Sequence, residues 1–274
     1  MRIITTFNDR LYSETGVALI DSLKLFLAPE QILVYGENMN TRIEGVQMVD
    51  VESLPELSQV AEACSDIIPR EAGGRAEGLQ GYNQRWFNWF RKVIVQYDAI
   101  VRRPTPGCTI FLDSDVRMLR LPDEERIATE VPNAVGVLLG DRDSVESGVV
   151  IYRGMDPEGV EFVTSFLGLF LSGEFRSLPR WDDGYAMRIC MERHPDLVWD
   201  MASGMKAVKH RNRNGHETTG QLLPLTFLGE YFEHDKGMHW RRGIAASVAP
   251  ASDVSFLSRW YRIWRSLLER STSE

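Results

Sequence analysis

The feature that most constrains this chain is an apolar run, Ile110-Phe111-Leu112, that breaks off at two carboxylates in Asp113-Ser114-Asp115 before Val116. So apolar a run reads as a buried strand, and two acids at the end of a buried strand call for a cation. Alternation sends residues i and i+2 to one face of an extended segment. Asp113 and Asp115 are therefore expected to converge on a divalent ion that also holds a diphosphate. That points to chemistry on a nucleotide or a phosphate ester. The competing use of such a pair is a turn with a helix cap.

The rest of the chain supplies a frame for that strand. Arg2 to Thr6 reads as a short buried strand, Gly16 to Leu27 as a helix with apolar residues near helical spacing, and Gln31 to Tyr35 as a second strand. Strand, helix and strand in that order form a βαβ unit, which implies a parallel sheet. Glu71 to Gln84 is polar and glycine-studded and is expected to be a loop, and Arg85 to Val101 a helix leading toward the strand at Thr109 to Leu112. Further on, Ala134 to Leu139 and Ser147 to Tyr152 predict strands, Val160 to Leu171 a core helix, and Asp183 to His194 another helix.

Composition narrows the classes. An apolar content of 43% supports a sizeable core. A net charge of −8 argues against wholesale nucleic-acid binding. Cys64, Cys108 and Cys190 form no Cys-x-x-Cys pair, which fits a reducing cytosol. Neither the amino terminus nor the stretch Val160 to Leu171 has the unbroken apolar length of a signal peptide or a membrane span. The expected location is cytoplasmic.

The order of motifs resembles the GT-A class of nucleotide-sugar glycosyltransferases, in particular the glycogenin-like and galactosyltransferase-like retaining group, over roughly residues 1 to 243. Thr5-Thr6-Phe7-Asn8-Asp9-Arg10-Leu11-Tyr12, followed by Gly16 and the Ala18 to Leu23 helix, looks like that group's first strand and nucleotide-binding loop. Asp113-Ser114-Asp115 is similar to its Asp-x-Asp motif, Glu146-Ser147-Gly148 to its Asn-Ser-Gly strand, and Trp181-Asp182-Asp183 to its Asp-Gln helix start. His234-Asp235-Lys236-Gly237-Met238-His239-Trp240 resembles its late His-x-x-Gly-x-x-Lys segment. Glu146 stands where Asn is usual, Asp183 where Gln is usual, and His239 in the region of the expected Lys.

The resemblance implies an α/β fold with a Rossmann-like, mixed, mostly parallel sheet flanked by helices. It also implies one glycosyltransferase domain over 1–245, with a nucleotide-binding half (1–120) and a sugar and acceptor half (121–245), followed by a helical extension over 246–274. The implied activity is metal-dependent transfer of a sugar from a nucleoside diphosphate sugar, a UDP-sugar first, to a glycan, lipid-linked or other hydroxyl acceptor, with retention. Asp113 and Asp115 would ligate the metal and His234 is the candidate third ligand. Mixed oxygen and imidazole ligation suits Mn²⁺ better than Mg²⁺. The departing diphosphate gains negative charge, which metal and lysine or arginine must neutralise. Lys92, Lys236, Arg241 and Arg242 are the candidates, and Gly237 would permit close backbone approach. Thr5, Phe7, Asn8 and Tyr12 are expected base and ribose contacts, with core packing the other use of Phe7 and Tyr12. Ser114, Ser147 and Gly148 belong to the donor site. Asp182, Asp183 and Glu146 are the catalytic candidates: one of the two aspartates caps the following helix while the other faces a cleft. An inverting enzyme would use a carboxylate such as Asp183 as general base. With retention, the departing phosphate oxygen takes that proton.

Two further segments stand out. Lys206, Lys209, His210, Arg211, Arg213 and His216 gather positive charge in an expected loop. From Phe256 to Arg270, Phe256, Leu257, Trp260, Tyr261, Ile263, Trp264, Leu267 and Leu268 share one side of a helix while Arg259, Arg262, Arg265 and Arg270 share the other. Such a helix docks on the protein core or lies at an anionic bilayer, which would place the chain at the inner membrane face. Flotation with vesicles, comparing the intact chain with one ending before Ala251, separates the two. The rival enzyme class is the haloacid dehalogenase phosphatases, with Asp113 as nucleophile and Asp115 as general acid. That motif normally closes the first strand of the core, whereas here a βαβ unit precedes it. A sugar-phosphate nucleotidyltransferase would open with a glycine-rich basic loop, and Thr5 to Tyr12 contains no glycine. A noncatalytic nucleotide-sugar-binding relative is the remaining alternative.

Overall fold

A computed structural model of the protein describes residues 1–66, 83, 85–207, 209–211, 217–219 and 221–234. In chain order the strands are β1 (Arg2–Phe7), β2 (Ile32–Gly36), β3 (Gln47–Asp50), β4 (Thr109–Leu112), β5 (Val116–Met118), β6 (Val135–Val137), β7 (Val149–Tyr152), β8 (Val198–Asp200), β9 (Lys209–Arg211), β10 (Glu217–Thr219) and β11 (Phe232–His234). The principal helices are α1 (Val17–Lys24), α2 (Pro55–Ala63), α3 (Trp86–Tyr97), α4 (Glu124–Glu130), α5 (Pro157–Leu171) and α6 (Asp183–Arg193).

Seven strands form one sheet in the order β3-β2-β1-β4-β7-β6-β8. Neighbours are parallel except at β7, which runs antiparallel to both β4 and β6. The fold is thus α/β with a mixed, mostly parallel sheet, as the sequence predicts. β2 and β7 read as apolar runs, as does Ile110 to Leu112 of β4, because both faces of the sheet are covered. Side chains alternate between two cores. Ile4, Leu33, Tyr35, Phe111, Val150 and Tyr152 face one core, which α2, α3, α5 and α6 cover with Val60, Phe90, Phe166 and Met187. Ile3, Ile32, Val34, Ile110, Leu112 and Ile151 face the other, covered by α1 with Leu19 and Leu23 and by α4 with Ile127. Each fully buried aliphatic or aromatic side chain contributes about 1.5–3 kcal/mol.

Helix starts follow from short acidic caps. Asp123 accepts from the Glu125 amide at α4, Asp156 from Glu158 at α5, and Asp182 from Tyr185 at α6. Several expected boundaries shift. The helix foreseen from Gly16 to Leu27 is α-helical only over α1, after a wider π-type turn at Tyr12–Gly16. The helix foreseen over Arg85 to Val101 is α-helical as α3 and then opens into a second π-type segment at Asp98–Arg102. Part of the basic segment foreseen as a loop is extended: β9 pairs antiparallel with β10. Nearly all of the Glu71 to Gln84 stretch, Lys236, Gly237, Arg241, Arg242 and the helix expected over Phe256 to Arg270 lie outside the described residues. No helix among the described residues is long and apolar enough to cross a membrane. The three cysteines are buried and unpaired.

Candidate metal centre

The carboxyl ends of the parallel strands β2, β1 and β4 lie side by side, which is where open α/β sheets form ligand crevices. β4 ends at Leu112, and Asp113, Ser114 and Asp115 form a turn before β5, closed by the Val116 amide donating to the Asp113 carbonyl at 3.1 Å. The convergence of the two aspartates therefore comes from a tight turn rather than from strand alternation. Alternation acts one step earlier. Leu112 faces the α1 side, so the next residue turns toward the α3 side. There the Lys92 ammonium sits 2.6 Å from Asp113 Oδ1.

His234 reaches the same point from the other end of the fold. β11 pairs antiparallel with β5, and the register sets His234 opposite Val116, directly after Asp115. Its Nε2 is 3.0 Å from Asp115 Oδ1. One ligand atom from each of Asp113, Asp115 and His234 lies within 4.8 Å of the others. Gly148 makes room for the imidazole: a Cβ there would come within 2.9 Å of His234 Cε1. The Gly148 carbonyl accepts from the Asp113 amide at 2.9 Å, tying the β7 entry to the turn. Two carboxylates and one imidazole make a donor set that fits Mn²⁺, while Mg²⁺ favours oxygen alone.

Asp183 opens α6 and faces this cluster, with Oδ2 3.7 Å from Lys92 Nζ. Burial raises its carboxyl pKa; Lys92 and a Ser147 hydrogen bond oppose the rise, and Asp113 and Asp182 add to it. Lys92 shows the converse balance. Burial disfavours its ammonium, but the charges of Asp113, Asp183 and Asp115, with the hydrogen bond to Asp113, outweigh that and hold its pKa above the ordinary lysine range. Asp182 takes the other part of the division expected of the pair: it caps α6 and accepts from Arg180 Nε at 2.9 Å. Glu146 is buried beside His234, with Oε1 3.4 Å from Nδ1.

The first-strand residues sit differently. Thr5 and Phe7 are fully buried, Phe7 stacks on Tyr12 at 5.4 Å between ring centres, and Asn8 caps the turn at Leu11. Thr15, in the turn that follows, donates its hydroxyl to the Leu11 carbonyl at 3.0 Å and lies 2.9 Å from Ser114 Oγ. Glu37 and Arg91 were not singled out from the sequence. Glu37 follows β2, is buried, accepts from Thr6 Oγ1 at 2.9 Å and lies 3.8 Å from Arg91. Burial raises its pKa against the pull of Arg91. Its position just past the apolar run of β2, mirroring Asp113 after β4, was the available signal.

No family model matches this chain, and neither does any curated protein. Among solved structures, mouse xyloside xylosyltransferase 1 in its apo form aligns over 73% of this chain and 84% of its own, at 12% identity and a TM-score of 0.44. The glycosyltransferase GlyE of Streptococcus pneumoniae TIGR4 aligns over 73% of this chain and 44% of its own, at 10% identity and a TM-score of 0.40. Its apo form gives 11% identity and a TM-score of 0.39. Likeness at that level assigns neither a family nor an activity.

Proposed function

We propose that the chain is a metal-dependent glycosyltransferase of the GT-A type that uses a nucleoside diphosphate sugar, with UDP as the nucleotide. One observation carries this reading: segments far apart in the sequence, around Lys92, Asp113 to Asp115, Glu146 to Gly148, Asp183 and His234, meet at one point beside the carboxyl ends of parallel strands. All but Lys92 belong to the stretches whose order resembles the retaining GT-A group.

Asp113, Asp115 and His234 would hold Mn²⁺, which when bound neutralises charge on the departing diphosphate. Lys92 keeps Asp113 and Asp183 in place and adds positive charge beside the same position. Asp183 faces the centre at the start of α6, suited to orient a sugar or acceptor hydroxyl. With retention, no protein base is obligatory and Asp183 serves binding; with inversion it is the general base. The cytoplasmic location and a glycan or lipid-linked acceptor belong to the same proposal.

The test is calorimetric titration of UDP and GDP, each with and without Mn²⁺, into the wild type and Asp115→Ala. The expected result is UDP binding that needs both Mn²⁺ and Asp115. GDP binding with the same dependence corrects the base alone. Absence of nucleotide binding under every condition overturns the reading and directs the next assay to phosphate release from simple esters.

A further inference from the structure

Glu146 stands where the resembled family has Asn, and its surroundings give that carboxylate a use of its own. The side chain is almost wholly enclosed, and burying a carboxylate is costly without compensation. Its two oxygens have different partners. Oε2 accepts from Arg142 Nη1 at 2.9 Å and from the Leu222 amide at 2.9 Å. Oε1 lies 3.4 Å from Nδ1 of His234, whose side chain is fully buried. The other ring nitrogen, Nε2, is the one beside Asp115. His234 thus lies between two carboxylates that compete for its ring proton. If Asp115 holds that proton, Nε2 carries a hydrogen and is blocked as a ligand. If Glu146 holds it, Nε2 presents a lone pair toward Asp113 and Asp115.

We propose that Glu146 is a positioning residue for His234, taking the Nδ1 hydrogen so that Nε2 is fixed as the metal-binding nitrogen. The inference rests on the metal-dependent reading of the site. The Arg142 and Leu222 donors tie down Oε2 and leave Oε1 toward the ring, and Gly148 leaves the ring edge room. A carboxylate behind a ligating imidazole fixes its tautomer and raises its basicity, and removing such a partner typically weakens metal affinity about 10–100-fold.

The experiment is a Mn²⁺ titration followed by electron paramagnetic resonance, in the presence of UDP, on wild type, Glu146→Gln, His234→Ala and the double variant. Glu146→Gln is expected to weaken Mn²⁺ binding at least about tenfold. In the His234→Ala background the same change is expected to alter it by no more than about twofold. An equal loss in both backgrounds, or no loss in either, overturns the proposal, because Glu146 would then not act through His234. Nitrogen-15 spectra of the unaltered chain, loaded with Zn²⁺ as a diamagnetic probe and UDP, give an independent readout. A protonated Nδ1 and metal-bound Nε2 are expected, and the reverse assignment overturns the proposal whatever the variants do. Wild type that binds no Mn²⁺ removes the underlying metal reading; wild type that binds while Glu146→Gln binds equally removes only this inference.

Discussion

Asp183 is a poor choice for stability, which the proposed site would account for. It is 4% exposed, and its Oδ2 makes no hydrogen bond among the described residues, with Lys92 at 3.7 Å as its nearest opposite charge. Burial pushes its pKa up, and Lys92 only partly offsets this because Asp113 shares the same ammonium. The sign of the linkage follows. A carboxyl whose folded pKa lies above its unfolded value favours folding when protonated. That contribution is fully present below the unfolded value near 4 and is lost as pH rises through the folded value. Asp183→Asn keeps the shape and removes the charge. Thermal melts of the variant are expected to exceed wild type at pH 7.5, and the gap is expected to narrow as the pH is lowered toward the unfolded value and the wild-type carboxyl gains its proton. Equal melting temperatures at pH 7.5 would contradict this account. On the proposed function, sugar transfer by the same variant is expected to fall, and unchanged transfer would leave the charge without the use proposed for it.

Backbone contact between elements helps to hold that charge in place. Gly184 is the second residue of α6, and its carbonyl accepts from the Val145 amide at 3.1 Å. A Cβ at 184 would lie 2.4 Å from the Val145 carbonyl oxygen, which is backbone and cannot swing away. Helix propensity alone favours Ala over Gly by about 1 kcal/mol. Forced overpacking costs about 1–3 kcal/mol. Gly184→Ala is therefore expected to lower the urea midpoint despite the better propensity, and a raised midpoint would show that the contact yields. Such a constraint is not visible in the sequence, where Gly184 looks like a weak helix residue. What was legible had length or strong pattern: β2 and β7 are apolar runs, β4 ends in one, and Asp182 announces a helix start, whereas the Asp156-Pro157 start of α5 lies ahead of the Val160 expected from the sequence. The short strands β3, β5 and β11 were not legible. β5 and β11 are too short to show a period, and β3 is partly exposed at a sheet edge, so only their partners reveal them. The carboxylates of the centre were legible as residue types, whereas the turn that joins them and the register that brings His234 in were not.

At the scale of the whole molecule the centre joins distant parts of one chain. Asp115 and His234 are 119 positions apart, and the ladder between β5 and β11 is the structural link between them. Arg120 and Arg126 brace it, both pairing with Glu230, while Arg120 lies 4.7 Å over the Tyr231 ring. An ion that binds Asp113, Asp115 and His234 needs that ladder formed, so it binds the folded chain and not the unfolded one. Linkage then gives about 2.7 kcal/mol of added stability at a free ion concentration 100 times Kd. For a chain of this size that amounts to a rise of several degrees in melting temperature. Mn²⁺ is expected to raise the wild-type melting temperature in a saturable way and to leave His234→Ala unmoved at the same concentration. Arg126→Ala gives the complementary case. It touches none of the three candidate ligands and leaves Arg120 on Glu230, so its effect is to loosen the brace. The variant is expected to melt lower without Mn²⁺ and to need a higher Mn²⁺ concentration for the same upward shift. If Arg126→Ala melts lower yet responds to Mn²⁺ at the wild-type concentration, the brace stabilises the fold without preorganising the centre, and His234 is held by the β5–β11 register alone.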